Sequence, residues 1–135
     1  MWSKYKADEI MKRIINTPNA PAAIGPYSQA IEANGTLYIS GQIPINPKVG
    51  KIETTEITTQ TEQVFANINA ILAEAGYTFA DVVKSTVFLS DIANFAEMND
   101  VYKKYYQTEC PARSAFAVKA LPMGALVEIE TIAVK

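Results

Sequence analysis

Residues 59–75, TQTEQVFANINAILAEA, carry the clearest structural pattern in this 135-residue chain. Their apolar side chains recur at the three- and four-residue spacing of a single helical face. Thr59 and Glu62 fit a capping box at the start of the helix, and Gly76 follows its last turn as a C-terminal cap. The segment therefore predicts an amphipathic helix with one apolar stripe, formed by Val64, Phe65, Ile68, Ile71, Leu72 and Ala75.

Strand patterns lie on both sides of this helix. Residues 27–33 and 36–40 are joined by Asn34-Gly35, which favours a two-residue hairpin because both positions tolerate positive φ. Residues 82–90 are rich in β-branched side chains, and residues 94–106 form a second helical pattern with Asn94 and Glu97 at its capping positions. Further strands are predicted at residues 12–16, 113–120 and 126–134, and a loop over residues 44–55.

The order of these elements, β-ββ-α-β-α-ββ, predicts an α+β domain with a single sheet of about six strands. Both helices can pack on one face of that sheet, which leaves no segment for the other face. Several outward positions on the second face are apolar or small, so we expect another subunit to bury it. Residues 1–10 are polar and mixed in charge, and we predict that they extend a single domain over residues 11–135.

The composition argues against several classes of function. Twelve basic and 14 acidic residues give a formal net charge of −2, and no basic block suggests a nucleic-acid partner. The chain has no histidine, which removes the commonest general base and metal ligand. Cys110 is the single cysteine, so no intrachain disulfide can form. No apolar run is long enough to span a membrane and no signal-peptide core is present, so we expect a cytoplasmic protein.

Arg113 begins the strand predicted over residues 113–120. Ala115 and Ala117 share its face at two-residue spacing, whereas Phe116 and Val118 supply apolar bulk on the other. A guanidinium above small side chains suits a carboxylate ligand, because its planar donors match two anionic oxygens. An arginine on an exposed sheet face, or one in a structural ion pair, would leave the same pattern.

Glu128 and Glu130 lie two residues apart in the last predicted strand, so both side chains point to one face. They are consistent with solvated charge or protection of a sheet edge. Alternatively, one of them is the base that positions a water molecule, since no histidine is available for that role.

Four further residues suit either a site or an ordinary structural role. Tyr27 follows the rigid Gly25-Pro26 dipeptide, although a core tyrosine is the default interpretation. Ser40-Gly41 ends a predicted strand, and the missing Cβ of Gly41 lets a ligand approach the backbone. Asn99 fits an ordinary polar position on the second helix.

Six segments together resemble the Rid family, also called the YjgF family. They are AIGPYSQ (23–29), LYISGQIP (37–44), VFLSD (87–91), MNDVY (98–102), PARS (111–114) and VEIE (127–130). The resemblance runs from about Met11 to the C-terminus. It implies a chorismate-mutase-like fold assembled as a homotrimer, with three sites between subunits.

The RidA subgroup of this family hydrolyses reactive 2-imino acids, such as 2-iminobutanoate and 2-iminopropanoate, to 2-keto acids and ammonia without a cofactor. The resemblance implies that Arg113 holds the substrate carboxylate and that Glu128 acts through a water molecule. It places Tyr27, Ser40, Gly41 and Asn99 in the same site, together with Ala115, where many RidA proteins carry cysteine. Two alternatives remain at this point: a non-catalytic regulatory trimer that binds small carboxylates, and an RNA-directed endoribonuclease or translation inhibitor.

Overall fold

A six-stranded sheet with two helices on one face forms the framework of this protein. The computed structural model describes residues 11–135, and the predicted N-terminal extension lies outside the described residues. In chain order the elements are β1 (Arg13–Ile15), β2 (Ala30–Ala33), β3 (Thr36–Gln42), β4 (Ile45–Asn46), β5 (Lys51–Ile52), α1 (Ile57–Ala75), β6 (Val82–Leu89), α2 (Phe95–Tyr105), β7 (Ala112–Ala117) and β8 (Val127–Val134).

The main sheet has the strand order β1-β2-β3-β8-β6-β7. Strands β6 and β7 run parallel, and the other neighbours pair antiparallel. Strands β4 and β5 form a separate two-stranded ribbon. This architecture confirms the predicted α+β class, with one sheet and two helices.

The core lies between the helices and one face of the sheet. The apolar stripe predicted for α1 is buried there, as are alternate residues of the central strands, including Leu37, Ile39, Val87, Leu89 and Ile129. Complete burial of one such side chain contributes roughly 1.5–3 kcal/mol to folding. Gly76 caps α1 with φ 85°, in the left-handed conformation that its sequence position predicts.

The opposite face of the sheet keeps large apolar side chains in solvent. Ile14 is 62% exposed and Tyr38 51% exposed. Strand pairing aligns them with Ile31 and Ile132 in one row across four strands. No segment within residues 11–135 covers this row, which confirms the expectation of a sheet with one open face.

Both predicted capping boxes are wrong. Helix α1 begins at Ile57 after Glu56, so Thr59 lies inside it and its hydroxyl donates to the Glu56 carbonyl. Glu62 instead accepts hydrogen bonds from Lys104 and Tyr105, which approach from α2. At the start of α2 the side chain of Asn94 makes no cap, because the turn before it is capped by Asp91.

Several strand boundaries also differ from the predictions. Strand β2 begins at Ala30 rather than at residue 27, whereas β3 continues to Gln42. The loop predicted over residues 44–55 contains the short ribbon of β4 and β5. Strand β7 ends at Ala117 rather than at residue 120, and Phe116 lies on the open face of the sheet, where it is 45% exposed. Neither helix of the described chain is long and apolar enough to span a membrane.

Candidate active site

A bulge at the end of β3 brings two predicted site residues next to a carboxylate. Ile39 pairs with Thr131 and Gln42 pairs with Ile129, so Ser40 and Gly41 together oppose a single residue of β8. The Glu128 side chain lies directly against Gly41. A Cβ at position 41 would lie 2.9 Å from Glu128 Cδ and would collide with Oε2. Any side chain at position 41 would therefore force the Glu128 carboxylate out of its present position.

A pocket of ≈ 460 Å³ opens around this carboxylate. Four of the predicted site residues line it: Tyr27, Ser40, Gly41 and Glu128. Most of the remaining wall is apolar, with contributions from Ile24, Ile43, Pro122 and Met123. The structure therefore places one carboxylate at a concave surface that suits a small organic ligand.

Glu128 has an environment that favours its protonated form. Burial is the main effect that raises the pKa of its carboxyl, and the neighbouring Glu130 raises it further. No side chain or backbone N–H of residues 11–135 donates a hydrogen bond to it. A carboxylate in this position is a stronger base than an exposed glutamate, and it retains lone pairs for a water molecule.

Buried amides and a hydroxyl hold the pocket wall in place. The Gln29 side chain accepts from Thr17 N at 2.7 Å and donates to the carbonyls of Thr17 at 3.0 Å and Pro21 at 2.8 Å. The Ser40 hydroxyl donates to the Ser28 carbonyl at 2.6 Å. These bonds tie the loop that carries Tyr27 to the end of β3. Gln29 was assigned no role from the sequence, although a glutamine within a Pro- and Gly-rich loop is a signal for such a network.

Arg113 lies on the other side of the sheet. It pairs with Ser85, which points toward the helices, and its Nη1 donates to Asn99 Oδ1 at 2.7 Å. The guanidinium carbon lies 4.6 Å from the ring centroid of Tyr102 and 5.4 Å from that of Phe95. No carboxylate of the described chain forms an ion pair with Arg113. The structural ion pair considered for this arginine is therefore not found within residues 11–135.

The predicted site residues fall into two groups within one subunit. Tyr27, Ser40, Gly41 and Glu128 line the pocket, whereas Arg113 and Asn99 meet on the helix side of β7. Ala115 belongs with Arg113, since it lies on the same strand face and packs against the core. The contacts of Phe95 and Tyr102 with Arg113 were not predicted from the sequence. Their spacing from Asn99, four residues before it and three after it, was the available signal.

Comparison with known proteins identifies the family. A family model described as endoribonuclease L-PSP matches residues 17–135, a range that includes both groups of site residues. The chain belongs to this family, the Rid family.

Known relatives of this Rid protein match nearly its whole described length. A RutC family protein of Pyrococcus horikoshii is 54% identical, with coverage of 93% of this chain and 99% of that protein. A protein of Capra hircus named 2-iminobutanoate/2-iminopropanoate deaminase is 50% identical, with coverage of 93% and 92%. A crystal structure of a Rid family protein from Yersinia pestis superposes with a TM-score of 0.90 at 53% identity and covers 93% of this chain and 100% of that one. The predicted family and fold are both confirmed.

Cys110 lies in a loop and is the single cysteine of this Rid protein. The Cys110 thiol is exposed and donates to the Tyr106 carbonyl at 3.2 Å. The chain has no histidine to activate that thiol. Within residues 11–135, no group of three or more acidic or sulfur side chains is arranged to hold a metal ion.

Proposed function

We propose that this protein is a hydrolytic deaminase that converts 2-imino acids, such as 2-iminobutanoate and 2-iminopropanoate, to 2-keto acids and ammonia. The observation that carries the proposal is the Glu128 carboxylate, partly buried above Gly41 in a pocket with mostly apolar walls. The family membership supports it, as does the name of the Capra hircus relative at 50% identity.

We also propose that the site forms between subunits of a homotrimer. Arg113 and Glu128 lie on opposite faces of the sheet of one subunit, so a small substrate that contacts both must be held by two chains. The open sheet face, with Ile14, Tyr38 and Phe116 exposed, supports an interface of this kind. A closed ring of three identical subunits would repeat the same junction three times.

Arg113 would bind the substrate carboxylate in this site. Its planar donors match two carboxylate oxygens and fix the orientation of the imine carbon next to them. Asn99 accepts a hydrogen bond from one of the guanidinium nitrogens and thereby limits the rotation of the Arg113 side chain. Tyr27, which is half exposed at the rim of the pocket, would close over the bound substrate.

Glu128 would direct the chemical steps. It accepts a proton from a water molecule while the water oxygen forms a bond to the imine carbon, and the C=N π electrons move to nitrogen. The nitrogen takes that proton from Glu128, which gives a neutral carbinolamine. The carbinolamine then collapses: Glu128 removes the hydroxyl proton as the C=O bond forms and the C–N bond breaks, and it passes this proton to the nitrogen, which departs as ammonia. Imines already hydrolyse in water, so modest transition-state stabilisation suffices and no metal or organic cofactor is required.

A nucleic-acid partner is not part of this proposal, although the family model carries the name of an endoribonuclease. The formal net charge is −2, and the sequence has no basic block to neutralise phosphates. Affinity for RNA that falls steeply with salt would contradict this conclusion. The cytoplasmic location and the absence of a membrane partner remain predictions from the sequence.

The decisive experiment generates an imino acid with an amino-acid oxidase and follows its loss by trapping with semicarbazide. We expect the protein to accelerate imine loss, and we expect Arg113→Ala to abolish that acceleration while circular dichroism and oligomeric state stay unchanged. Near-normal turnover by Arg113→Ala would overturn the assignment. Binding of 2-keto acids without faster imine loss would indicate a carboxylate-binding regulator instead.

A further inference from the structure

One stripe of helix α2 faces the Arg113 side chain. Phe95, Asn99 and Tyr102 follow one another at four- and three-residue spacing, so they lie on the same side of the helix. The guanidinium carbon lies over the Tyr102 ring, 4.6 Å from its centroid, and 5.4 Å from the centroid of the Phe95 ring. Nη1 of the same guanidinium donates to Asn99 Oδ1. Each residue of the stripe therefore contacts the proposed carboxylate anchor.

Tyr102 is the rigid member of this stripe. It is only 5% exposed, and its ring meets the Phe65 ring edge-on at 5.8 Å and the Tyr106 ring at 4.8 Å. Its buried hydroxyl has no partner with hydrogen-bond geometry among residues 11–135. Arg113 thus contacts the aromatic face of Tyr102 rather than its hydroxyl.

The stacked arrangement leaves one edge of the guanidinium available. Asn99 accepts from Nη1, and the guanidinium carbon lies over the Tyr102 ring. Nε and Nη2 have no acceptor among residues 11–135. These two nitrogens form an edge that matches both oxygens of a carboxylate. A freely rotating arginine at the exposed edge strand β7 would have to lose that freedom on binding.

We propose that Tyr102 is a positioning residue for carboxylate recognition. Its ring holds the Arg113 guanidinium through a cation–π contact, so that the Nε–Nη2 edge is presented to the substrate before it arrives. This inference rests on the proposed function, because it assigns Arg113 to a carboxylate ligand. It adds a residue that lies in the core and does not itself touch the substrate.

Three variants test the role of the ring. Tyr102→Leu removes it, and Tyr102→Phe restores an aromatic face without the hydroxyl. Tyr106→Leu is the matched control, since Tyr106 lies one turn further along the chain, is equally buried at 5% exposure and also packs against Phe65. Tyr106 forms no cation–π contact with Arg113 but packs on the Tyr102 ring, so its loss reports the cost of a cavity beside Tyr102 while the ring that faces Arg113 is kept.

The first measurement is the affinity for a 2-keto acid, 2-oxobutanoate, by calorimetry, together with thermal unfolding of each variant. We expect Tyr102→Leu to weaken binding by about tenfold, with Tyr102→Phe regaining most of that affinity. Tyr106→Leu should lower the melting temperature by a similar amount yet change the affinity by less than about twofold. Equal effects of Tyr102→Leu and Tyr106→Leu on affinity would overturn the inference.

Imine hydrolysis provides the second measurement. Loss of positioning should raise KM more than it lowers kcat, because saturating substrate can still select the correct orientation of Arg113. A wild-type protein that binds 2-oxobutanoate but does not accelerate imine loss would refute the proposed function. The affinities of the Tyr102 and Tyr106 variants would then still decide whether Tyr102 positions Arg113. A wild-type protein that binds no 2-oxobutanoate would refute both.

Discussion

Arg113 and Glu128 lie on opposite faces of the same sheet. Arg113 pairs with Ser85 and bonds to Asn99 on the helix side. Glu128 pairs with Phe88 and lines the pocket on the open side. The two groups of candidate site residues therefore face different directions, and the proposed chemistry depends on which chain contributes each residue.

Complementation between two inactive variants tests this division directly. We expect Arg113→Ala and Glu128→Gln each to be nearly inactive alone. After co-refolding at equal amounts, random trimers should recover about one quarter of the wild-type activity, because a site then works when it draws Arg113 from one variant and Glu128 from the other. Activity of the mixture is measured by imine loss.

A double variant serves as the control for complementation. Arg113→Ala co-refolded with the Arg113→Ala/Glu128→Gln protein should stay inactive, because no intact Arg113 is present in the mixture. If the first mixture also stays inactive while it forms mixed trimers, both residues act from the same chain and the proposed interface site is wrong.

Arg113→Lys should lose most of the activity although it keeps the charge. An ammonium group cannot present two parallel donors to a carboxylate in the way that a planar guanidinium does. We expect kcat/KM to fall by about 10- to 100-fold, in line with the loss of a charge-assisted hydrogen bond. The melting temperature should hardly change, since Arg113 is exposed. Wild-type kcat/KM in this variant would show that a simple positive charge is enough.

The pH dependence of activity should report Glu128. The pKa of this carboxyl is raised by burial first and by Glu130 second, so kcat/KM should fall as pH drops through a value above that of an ordinary glutamate. Glu130→Gln removes the neighbouring negative charge, and it should shift the acidic limb of the profile to lower pH. An acidic limb that does not move in this variant would show that another group controls the activity.

Glu128 should also weaken folding at neutral pH. The folded protein holds the proton on this carboxyl more tightly than the unfolded chain does, so its ionisation opposes folding above the raised pKa. Glu128→Gln is therefore expected to unfold at a higher temperature than wild type near pH 7. That gain should vanish below the unfolded-state pKa of about 4.3, where both forms are uncharged. A melting temperature that drops at pH 7 would contradict the assignment.

Gly41→Ala should inactivate the protein without unfolding it. The new Cβ would occupy the space of the Glu128 carboxylate and displace the proposed base. Gly50→Ala is the control, because no atom lies within 4 Å of a Cβ at that position, although its φ of 72° makes the substitution cost roughly 1–2 kcal/mol. We expect Gly50→Ala to keep full activity with lower stability. Gly41→Ala should instead lose its activity and keep its stability. Imine loss and urea unfolding distinguish the two.

Gln29 should be important for stability. Gln29→Ala leaves the backbone groups of Thr17 and Pro21 without their partner, and buried unpaired groups cost about 1–3 kcal/mol each. We expect urea unfolding to show a loss of about 2 kcal/mol or more. Gln107→Ala is the control, because that exposed side chain makes one long bond of 3.4 Å. Equal stability of the two variants would show that the Gln29 network contributes little.

Local patterns predicted the elements of this fold well because they depend on near neighbours. Asn34 and Gly35 adopt the positive φ values, 52° and 77°, that their hairpin requires. The capping boxes failed because the partners of Glu62 are Lys104 and Tyr105, which are distant in sequence and meet it only through helix packing. Residue spacing alone cannot show whether a side chain will bond to a near neighbour in sequence or to a distant residue that the tertiary structure brings close.

The site residues could be found from motifs, but their division between two faces could not. That division depends on the parallel pairing of β6 with β7, which puts Arg113 beside Ser85 on the helix side. The alternation along each strand shows only that Arg113 and Ala115 share a face, and likewise Glu128 and Glu130. It does not indicate which face of one strand matches which face of another.

The contact between Gly41 and Glu128 has a consequence for the evolution of this protein. The Glu128 carboxylate fills the volume that any side chain at position 41 would need. A larger residue at position 41 would move the Glu128 side chain from its present place or require a shorter residue at position 128. A change at position 41 is thus expected to change the chemistry of the pocket even where the fold is kept.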